Sequence, residues 1–209
     1  MSKHGDQAEP AKGSAPIRLA NDASASSSAQ ARRKEKVQVG DLVPDFTLLD
    51  QSSRPVSLGD FLGKKHLVLY FYPKNNTSLC TEEACAFRDS YEVFKDAGTE
   101  VIGVSSDSVE SHRQFAKEHQ LPFILLSDVD GVIRKRYGVP TAFGLPGRVT
   151  YIIDSQGIVR RIFFSQFTAE KHVAQALQTL QAIQEEHLSR AFSICNQETT
   201  DGRERTVGE

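Results

Sequence analysis

Short apolar segments alternate with amphipathic segments through the middle of this 209-residue chain. Leu67–Tyr72 is a continuous apolar run of strand length, and Glu100–Ser105 and Phe123–Leu126 are two further strand candidates. Between these runs, apolar residues recur at helical spacing, which predicts helices over Cys80–Ala97 and Ser108–His119. Strands that are separated by helices pair in parallel through right-handed crossovers, so the alternation predicts an α/β fold.

The later part of the chain predicts antiparallel strands in the same sheet. A short helix is expected over Asp128–Tyr137, followed by a hairpin of two strands, Val149–Asp154 and Gly157–Phe164. An amphipathic helix is expected over Thr168–His187. The predicted sheet is therefore mixed, with helices on both faces, and ligands are expected at the carboxyl ends of its parallel strands.

Composition divides the chain into three segments. Residues 1–36 are rich in Ala, Ser, Gly, Lys and Gln and poor in large apolar residues, which predicts a disordered extension. Residues 37–189 are the predicted folded domain, and residues 190–209 a flexible polar tail. Near the start of the domain, Gly40–Phe46 predicts a turn and then an edge strand, a position that Pro44 tolerates.

Charge and cysteine content exclude several classes of protein. Lys and Arg number 25 against 27 Asp and Glu, so the net charge of −2 gives no general attraction to nucleic acid. The apolar runs are shorter than the ~18 residues of a membrane span, and no span is expected. Three cysteines are too few, and odd in number, for a secreted disulfide scaffold. A reducing compartment inside the cell is therefore expected.

The first 36 residues do not decide whether that compartment is the cytoplasm or the chloroplast. They lack the apolar centre of a secretory signal. Their Ser, Ala and Arg content is typical of a transit peptide, whereas Asp6, Glu9 and Asp22 oppose this interpretation. The basic residues 32–34 would form only a weak nuclear signal, so the nucleus is the less favoured location.

Two cysteines lie five positions apart just after the Leu67–Tyr72 strand. Cys80 falls in the first turn of the predicted helix, where free backbone N–H groups and the helix dipole favour a thiolate. Cys85 lies further along the helix, where this field has faded. Because a thiolate is the nucleophilic form and a second thiol can capture its oxidised product, the pair predicts redox catalysis by sulfur.

A helix N-terminus alone does not ionise a thiol. A thiol with a pKa of about 8.5 is about 3 % ionised at neutral pH, and lowering that pKa to about 6 requires about 3.4 kcal/mol. A helix terminus supplies ~0.3–1 kcal/mol, or ~2 kcal/mol at a partly buried position. A second cation is therefore expected, and Arg148 is the candidate because it immediately precedes a predicted core strand.

Two residues of the loop before Cys80 suit the reaction of a thiolate with a peroxide. The hydroxyl of Thr77 can donate to or accept from a peroxide oxygen, and Pro73 restricts the loop and shields the sulfur from water. Free N–H groups near Leu79 and Cys80 would stabilise negative charge on a leaving oxygen. The expected step is attack of the thiolate on one oxygen of ROOH with departure of RO⁻.

Cys80 and Cys85 cannot form a disulfide within an intact helix. Helical positions five apart are separated by about 7.5 Å along the axis and point about 140° apart. A disulfide needs Cα atoms within about 7 Å of each other and Cβ atoms that face each other. The first turn and a half must therefore unwind, which couples oxidation to local unfolding.

The stretch Phe71–Asp89 resembles the peroxiredoxin Q/bacterioferritin comigratory protein branch of the peroxiredoxins. The family pattern Pro-x-x-x-Thr-x-x-Cys matches at Pro73, Thr77 and Cys80, and the resemblance extends over about residues 37–185. This resemblance implies a thioredoxin-like fold, in which α-helices flank a mixed central β-sheet.

The resemblance also implies a function, that of an antioxidant thiol peroxidase. Cys80 would be the peroxidatic cysteine, Cys85 the resolving cysteine and Arg148 the activating arginine. The substrates would be hydrogen peroxide and alkyl hydroperoxides, with a thioredoxin- or glutaredoxin-type reductant, and the enzyme would be a monomer without a bound cofactor. Ser78 and Leu79 stand where relatives usually have Pro-Gly, which affects the expected rate and peroxide preference rather than the reaction type.

Other interpretations stay open from the residues alone. The chain could exchange protein disulfides, although it lacks Cys-x-x-Cys, or it could be a redox sensor whose oxidised, unwound helix binds a partner protein. Cys80 could be a buried structural thiol and Cys85 a core residue. Zinc is disfavoured because the histidines and cysteines lack the spacing of metal ligands. Cys195, in the polar tail, is expected to be an incidental exposed thiol.

Overall fold

The computed structural model of the chain describes residues 36–142 and 145–201, with side chains described over 36–141 and 147–193. The predicted N-terminal extension, apart from its last residue, lies outside the described residues, as does the end of the predicted C-terminal tail. The side chain of Cys195 also lies outside them. The disorder of the extension and the flexibility of the tail therefore stay predictions.

Seven strands of the described chain form one mixed sheet in the order β2-β1-β5-β4-β3-β8-β9. The strands of this sheet are β1 (Thr47–Asp50), β2 (Pro55–Ser57), β3 (His66–Phe71), β4 (Thr99–Ser105), β5 (Ile124–Ser127), β8 (Val149–Ile153) and β9 (Val159–Phe164), and β6 (Thr141–Ala142) and β7 (Leu145–Pro146) pair in a separate two-stranded sheet. β4 pairs in parallel with both β3 and β5, whereas β8 pairs antiparallel with β3 and β9 pairs antiparallel with β8. These pairings confirm the predicted mixed sheet.

The described helices are α1 (Ser78–Asp89), α2 (Tyr91–Asp96), α3 (Val109–Glu118), α4 (Val132–Tyr137) and α5 (Ala169–Asp201), with a 3₁₀ turn over Leu58–Asp60. The prediction of a single helix over Cys80–Ala97 is wrong, because Ser90 adopts φ −100° and ψ 4° and separates α1 from α2. The apolar period continues across the break, since Phe87 and Phe94 are both buried with ring centroids 5.9 Å apart. Periodicity alone therefore does not reveal the interruption.

Two other predicted boundaries need correction. Gly40–Phe46 is not a strand: Leu42 forms an isolated bridge to Ile158, and Val43 and Phe46 are buried in the core. The β1–β2 hairpin, which the sequence reading missed, forms that edge of the sheet instead. The last helix was expected to end at His187 but continues to Asp201.

β3 lies inside the sheet and supplies both hydrophobic cores. Leu67, Leu69 and Phe71 belong to one buried cluster, and Val68 and Tyr70 to the other, as the alternation of side chains along a strand requires. The first cluster is covered by Ile133 and Tyr137 of α4. The second is covered by residues of the four other helices, among them Ala84, Phe94, Phe115, Val173, Leu180 and Ile183. Helices therefore cover both faces, and a loop of residues 72–77 leads from the carboxyl end of β3 to the start of α1.

Candidate active site

The Cys80 thiol lies in the first turn of α1, as the sequence predicted. The helix begins at Ser78, two residues earlier than expected, and its first backbone bond runs from the Thr81 N–H to the Thr77 carbonyl at 2.9 Å. The side chain of Thr77 makes no capping hydrogen bond. The backbone N–H groups of the first turn thus have no intrahelical partners, and they lie at the end of the helix that carries the Cys80 sulfur. Cys80 itself is only 2 % exposed.

Arg148 and Cys80 are brought together by the pairing of β3 with β8. Val149, the first residue of β8, pairs with Phe71, the last residue of β3, so Arg148 lies beside the start of the loop that leads to α1. Its Nη2 lies 3.2 Å from the Cys80 Sγ, and the Arg148 side chain is 2 % exposed. The site therefore holds a desolvated guanidinium in contact with the sulfur.

Glu83 is a third member of the site, which the sequence reading missed. It follows Cys80 by three residues, so both side chains lie on one face of α1, and it is fully buried. Its Oε2 accepts a short hydrogen bond from Nη1 of Arg148. Burial raises the pKa of Glu83 to about 8, although Arg148 acts in the opposite direction. Two acidic groups, Cys80 and Glu83, therefore share one cation.

Arg148 keeps its positive charge in this buried site. Burial lowers the pKa of Arg148, but Glu83 and Cys80 together outweigh burial and raise it overall. Its Nε has no hydrogen-bond partner among the described residues. The guanidinium thus directs one terminal nitrogen to the carboxyl group and the other to the sulfur.

His172 of α5 closes the buried side of this cluster. Its Nε2 lies 3.0 Å from the Ser165 carbonyl, which can only accept, so Nε2 carries the proton and Nδ1 accepts from the Thr150 hydroxyl at 2.7 Å. Burial lowers the pKa of His172 to about 4. Nδ1 also lies 3.6 Å from Oε1 of Glu83, which has no hydrogen-bond partner among the described residues. A neutral histidine beside this oxygen is consistent with a carboxyl group that readily keeps its proton.

The two predicted loop residues lie nearby but do not contact the sulfur through a hydrogen bond. Pro73 follows β3 and is half-buried. Thr77 is exposed, and its hydroxyl donates to the Lys74 carbonyl at 3.1 Å. The hydroxyl can still accept from a peroxide in this orientation, but it would have to rotate away from that carbonyl before it could donate to one.

Asn75, which sequence reasoning did not single out, anchors this loop to the sheet and to α3. Its side chain accepts from the Tyr72 hydroxyl at 2.8 Å, and its amide nitrogen lies 2.9 Å from Ser111 Oγ and 3.2 Å from His112 Nδ1. Its backbone N–H donates to Asp107 at 2.9 Å. The loop thus enters α1 from a fixed, buried position.

This anchor predicts a specific acid sensitivity. Burial lowers the pKa of His112 from 6.5 to about 4, so the unfolded chain binds a proton between these values and the folded protein does not. The stability from this group is complete above pH 6.5, and about 3 kcal/mol of it is lost as the pH falls to about 4. We expect the free energy of unfolding in urea to fall less between pH 6.5 and pH 4 in His112→Gln than in the native protein.

His187→Gln, at an exposed position, should show the same pH dependence of the unfolding free energy as the native protein. The same pH dependence in all three proteins would contradict the prediction.

Cys85 is a free, half-buried thiol inside α1, and Cys80 is free as well. Because both residues lie in one continuous helix, their separation is that of helical positions five apart, about 7.5 Å along the axis. The prediction that they cannot bridge without unwinding therefore applies to this conformation.

Two further features can be reported for the part of the chain that is described. No group of three or more His, Cys, Asp or Glu residues there is placed to hold a metal ion. Its helices are also too short or too polar to cross a membrane.

Comparison with known proteins identifies the family. The model of the AhpC/TSA family matches residues 39–162. The chain is 54 % identical over 150 residues to chloroplastic peroxiredoxin Q of Sedum lineare, covering 71 % of this chain and 80 % of that protein. It is 52 % identical over 149 residues to chloroplastic peroxiredoxin Q of Arabidopsis thaliana, covering 70 % and 68 % respectively.

Solved structures agree with this result. Peroxidoxin BcpB from Mycobacterium tuberculosis superposes with a TM-score of 0.65 at 37 % identity, covering 69 % of this chain and 97 % of that one. Peroxiredoxin Q of Xanthomonas campestris superposes with a TM-score of 0.61 at 30 % identity, covering 66 % and 90 %. The thioredoxin-like fold expected from the sequence is therefore confirmed. The chain belongs to the AhpC/TSA family, in its peroxiredoxin Q branch.

Proposed function

We propose that this thiol peroxidase reduces hydrogen peroxide and organic hydroperoxides with Cys80 as its peroxidatic cysteine. The single observation that carries the proposal is the contact between Cys80 Sγ and Arg148 Nη2 at 3.2 Å, at the N-terminus of α1. The guanidinium and the helix terminus both favour the thiolate. Together they can supply more stabilisation than the helix terminus alone.

In the first step, the Cys80 thiolate attacks one oxygen of ROOH. A sulfur–oxygen bond forms as the oxygen–oxygen bond breaks, and the departing RO⁻ takes a proton to become ROH. The first-turn N–H groups and Arg148 offer positive charge to the negative charge that develops on the oxygens. Thr77 would accept from the peroxide, or donate to it after leaving the Lys74 carbonyl, and Pro73 would limit the entry of water.

In the second step, Cys85 acts as the resolving cysteine. Its thiolate attacks the sulfenic sulfur of Cys80, a disulfide forms, and hydroxide leaves and takes up a proton to become water. The helical separation of the two thiols requires α1 to unwind first. The start of α1 can unwind while this loop stays in place, because the hydrogen bonds of Asn75 hold the loop that precedes α1 and not the helix itself.

The third step regenerates the dithiol and needs an external reductant. We propose a thioredoxin- or glutaredoxin-type protein, whose own dithiol is oxidised as the Cys80–Cys85 disulfide is reduced. The enzyme is proposed to act as a monomer, without nucleic acid, in a reducing compartment. That compartment is the chloroplast or the cytoplasm, and the chloroplastic names of the two plant relatives support the first.

The test is a coupled assay with purified protein, hydrogen peroxide, thioredoxin, thioredoxin reductase and NADPH. We expect one NADPH to be consumed for each peroxide, with continuous turnover. Omission of thioredoxin should limit the reaction to one peroxide per protein. Failure to consume any peroxide, with or without thioredoxin, would contradict the proposed function.

A further inference from the structure

Arg88 is a second arginine that lies beside a cysteine of α1. It follows Cys85 by three residues, so the two side chains are neighbours on the same face of the helix. Its pKa is raised, first by its hydrogen bond to Asp89 and, more weakly, by the negative charge that Cys85 can carry. The two side chains are one helical turn apart, so the guanidinium is within reach of the sulfur.

The position of Arg88 is fixed from two directions. Nε donates to Asp89 Oδ1 at 2.8 Å, and Nη1 donates at 2.9 Å to the carbonyl of His119, the C-cap residue of α3. The side chain is only 34 % exposed. The second hydrogen bond connects the later part of α1 to α3, whereas the first part of α1 is contacted by Arg148, through Cys80 and Glu83.

Cys85 needs a cation that the helix terminus does not provide. The field of an α-helix N-terminus fades within the first turn, and Cys85 is the eighth residue of α1. By helical spacing, its charged neighbours on α1 are Arg88, Asp89 and Glu82, and α3 presents the His119 carbonyl to Arg88. Arg88 is the cation in this set, and the ion pair with Asp89 holds it in place.

We propose that Arg88 prepares Cys85 for the resolving step. Arg88 has two effects in this step, and both depend on the proposed function. It stabilises the thiolate of Cys85, whose proton passes to solvent, before that thiolate attacks the Cys80 sulfenic acid and displaces hydroxide. It also ties the later part of α1 to α3, so that unwinding is confined to the turns around Cys80.

A purely structural role for Arg88 makes a different prediction. Loss of a helix tie would change the rate of disulfide formation equally at all pH values. Loss of a cation beside a nucleophilic thiol moves the pH midpoint of that rate upward, because the thiolate then forms only at higher pH. The two roles are therefore separated by a pH profile.

The experiment follows reduced protein after rapid mixing with one equivalent of hydrogen peroxide, between pH 5.5 and 9. Quenched samples are analysed by mass spectrometry for the Cys80 sulfenic acid and the Cys80–Cys85 disulfide. The variants are Arg88→Gln, Arg88→Lys and the control Arg113→Gln. Arg113 is an α3 arginine that likewise bonds a distant carbonyl, that of Gln51, at 3.2 Å.

We expect sulfenic acid to form at the native rate in all variants. In Arg88→Gln, disulfide formation at pH 7 should slow by about tenfold, with its midpoint raised by about one pH unit. Arg88→Lys should keep a midpoint close to that of the native protein, and Arg113→Gln should match the native protein throughout. The slower resolving step should also leave more Cys80 open to sulfinic acid formation at excess peroxide.

An unchanged midpoint in Arg88→Gln would overturn the inference, even if the rate fell. A midpoint raised equally in Arg88→Lys would overturn it as well, because the charge is retained there. The absence of both Cys80 sulfenic acid and the disulfide in the native protein would be a different result, since it would remove the proposed function itself.

Discussion

Replacement of Cys80 by serine is expected to lower the rate of peroxide consumption by on the order of a thousandfold or more, as loss of an enzyme's nucleophile commonly does. A serine hydroxyl beside Arg148 stays protonated at neutral pH, so the site loses its nucleophile while its shape is retained. Serine is close to cysteine in shape and its hydroxyl can accept from Arg148 Nη2, so the change should leave the fold intact. The measurement is peroxide loss in the thioredoxin-coupled assay.

Cys85→Ser is the matched control for this prediction. It should still consume one peroxide per protein, because the first step needs only Cys80. It should not turn over with thioredoxin by way of an internal disulfide, because Cys80 then has no Cys85 thiol to pair with. Equal turnover of Cys80→Ser and the native protein would contradict the assignment of the nucleophile.

Removal of the charge at Arg148 is expected to lower the rate of the first step by about a hundredfold and to destabilise the protein. Arg148→Met removes the cation 3.2 Å from the sulfur and leaves Glu83 buried without its partner. Loss of the guanidinium leaves this buried carboxyl group without its hydrogen-bond donor, which costs about 1–3 kcal/mol. Alkylation of Cys80 by iodoacetamide at neutral pH should slow as well, because the thiolate loses the cation beside it.

A double variant separates these two effects. Arg148→Met combined with Glu83→Leu replaces both buried polar partners with apolar side chains, so the urea midpoint should recover part of its loss while the peroxidase rate stays low. Recovery of the rate together with the stability would show that Arg148 acts only through packing. Arg148→Lys should be intermediate, because a lysine keeps the charge but cannot contact Cys80 and Glu83 with two separate nitrogens.

The order of strands and helices could be predicted because β3, β4 and β5 are buried on both faces and therefore have continuous apolar sequences. The β1–β2 hairpin could not, since its strands have four and three residues and its second strand begins with Pro55. The interruption at Ser90 was hidden for another reason: Phe87 and Phe94 keep the helical period on both sides of it.

The candidate site could be predicted in part. Cys80 is identified by its position after a buried strand, and Arg148 by family resemblance and by the strand that follows it. Glu83 could not be distinguished from Glu82 until the burial of the helix face was known. His172 lies 89 residues beyond Glu83 in the chain, and only the packing of α5 against α1 brings the two together at 3.6 Å.

The central claim is that Cys80 is the sulfur that a peroxide oxidises and that it then pairs with Cys85 after α1 opens. Peptide mass spectrometry of the native protein, after one equivalent of hydrogen peroxide and alkylation of the remaining thiols, tests it directly. We predict a disulfide between Cys80 and Cys85 with Cys195 alkylated. Recovery of Cys80 in the alkylated form, or its pairing with Cys195 instead, would contradict the account.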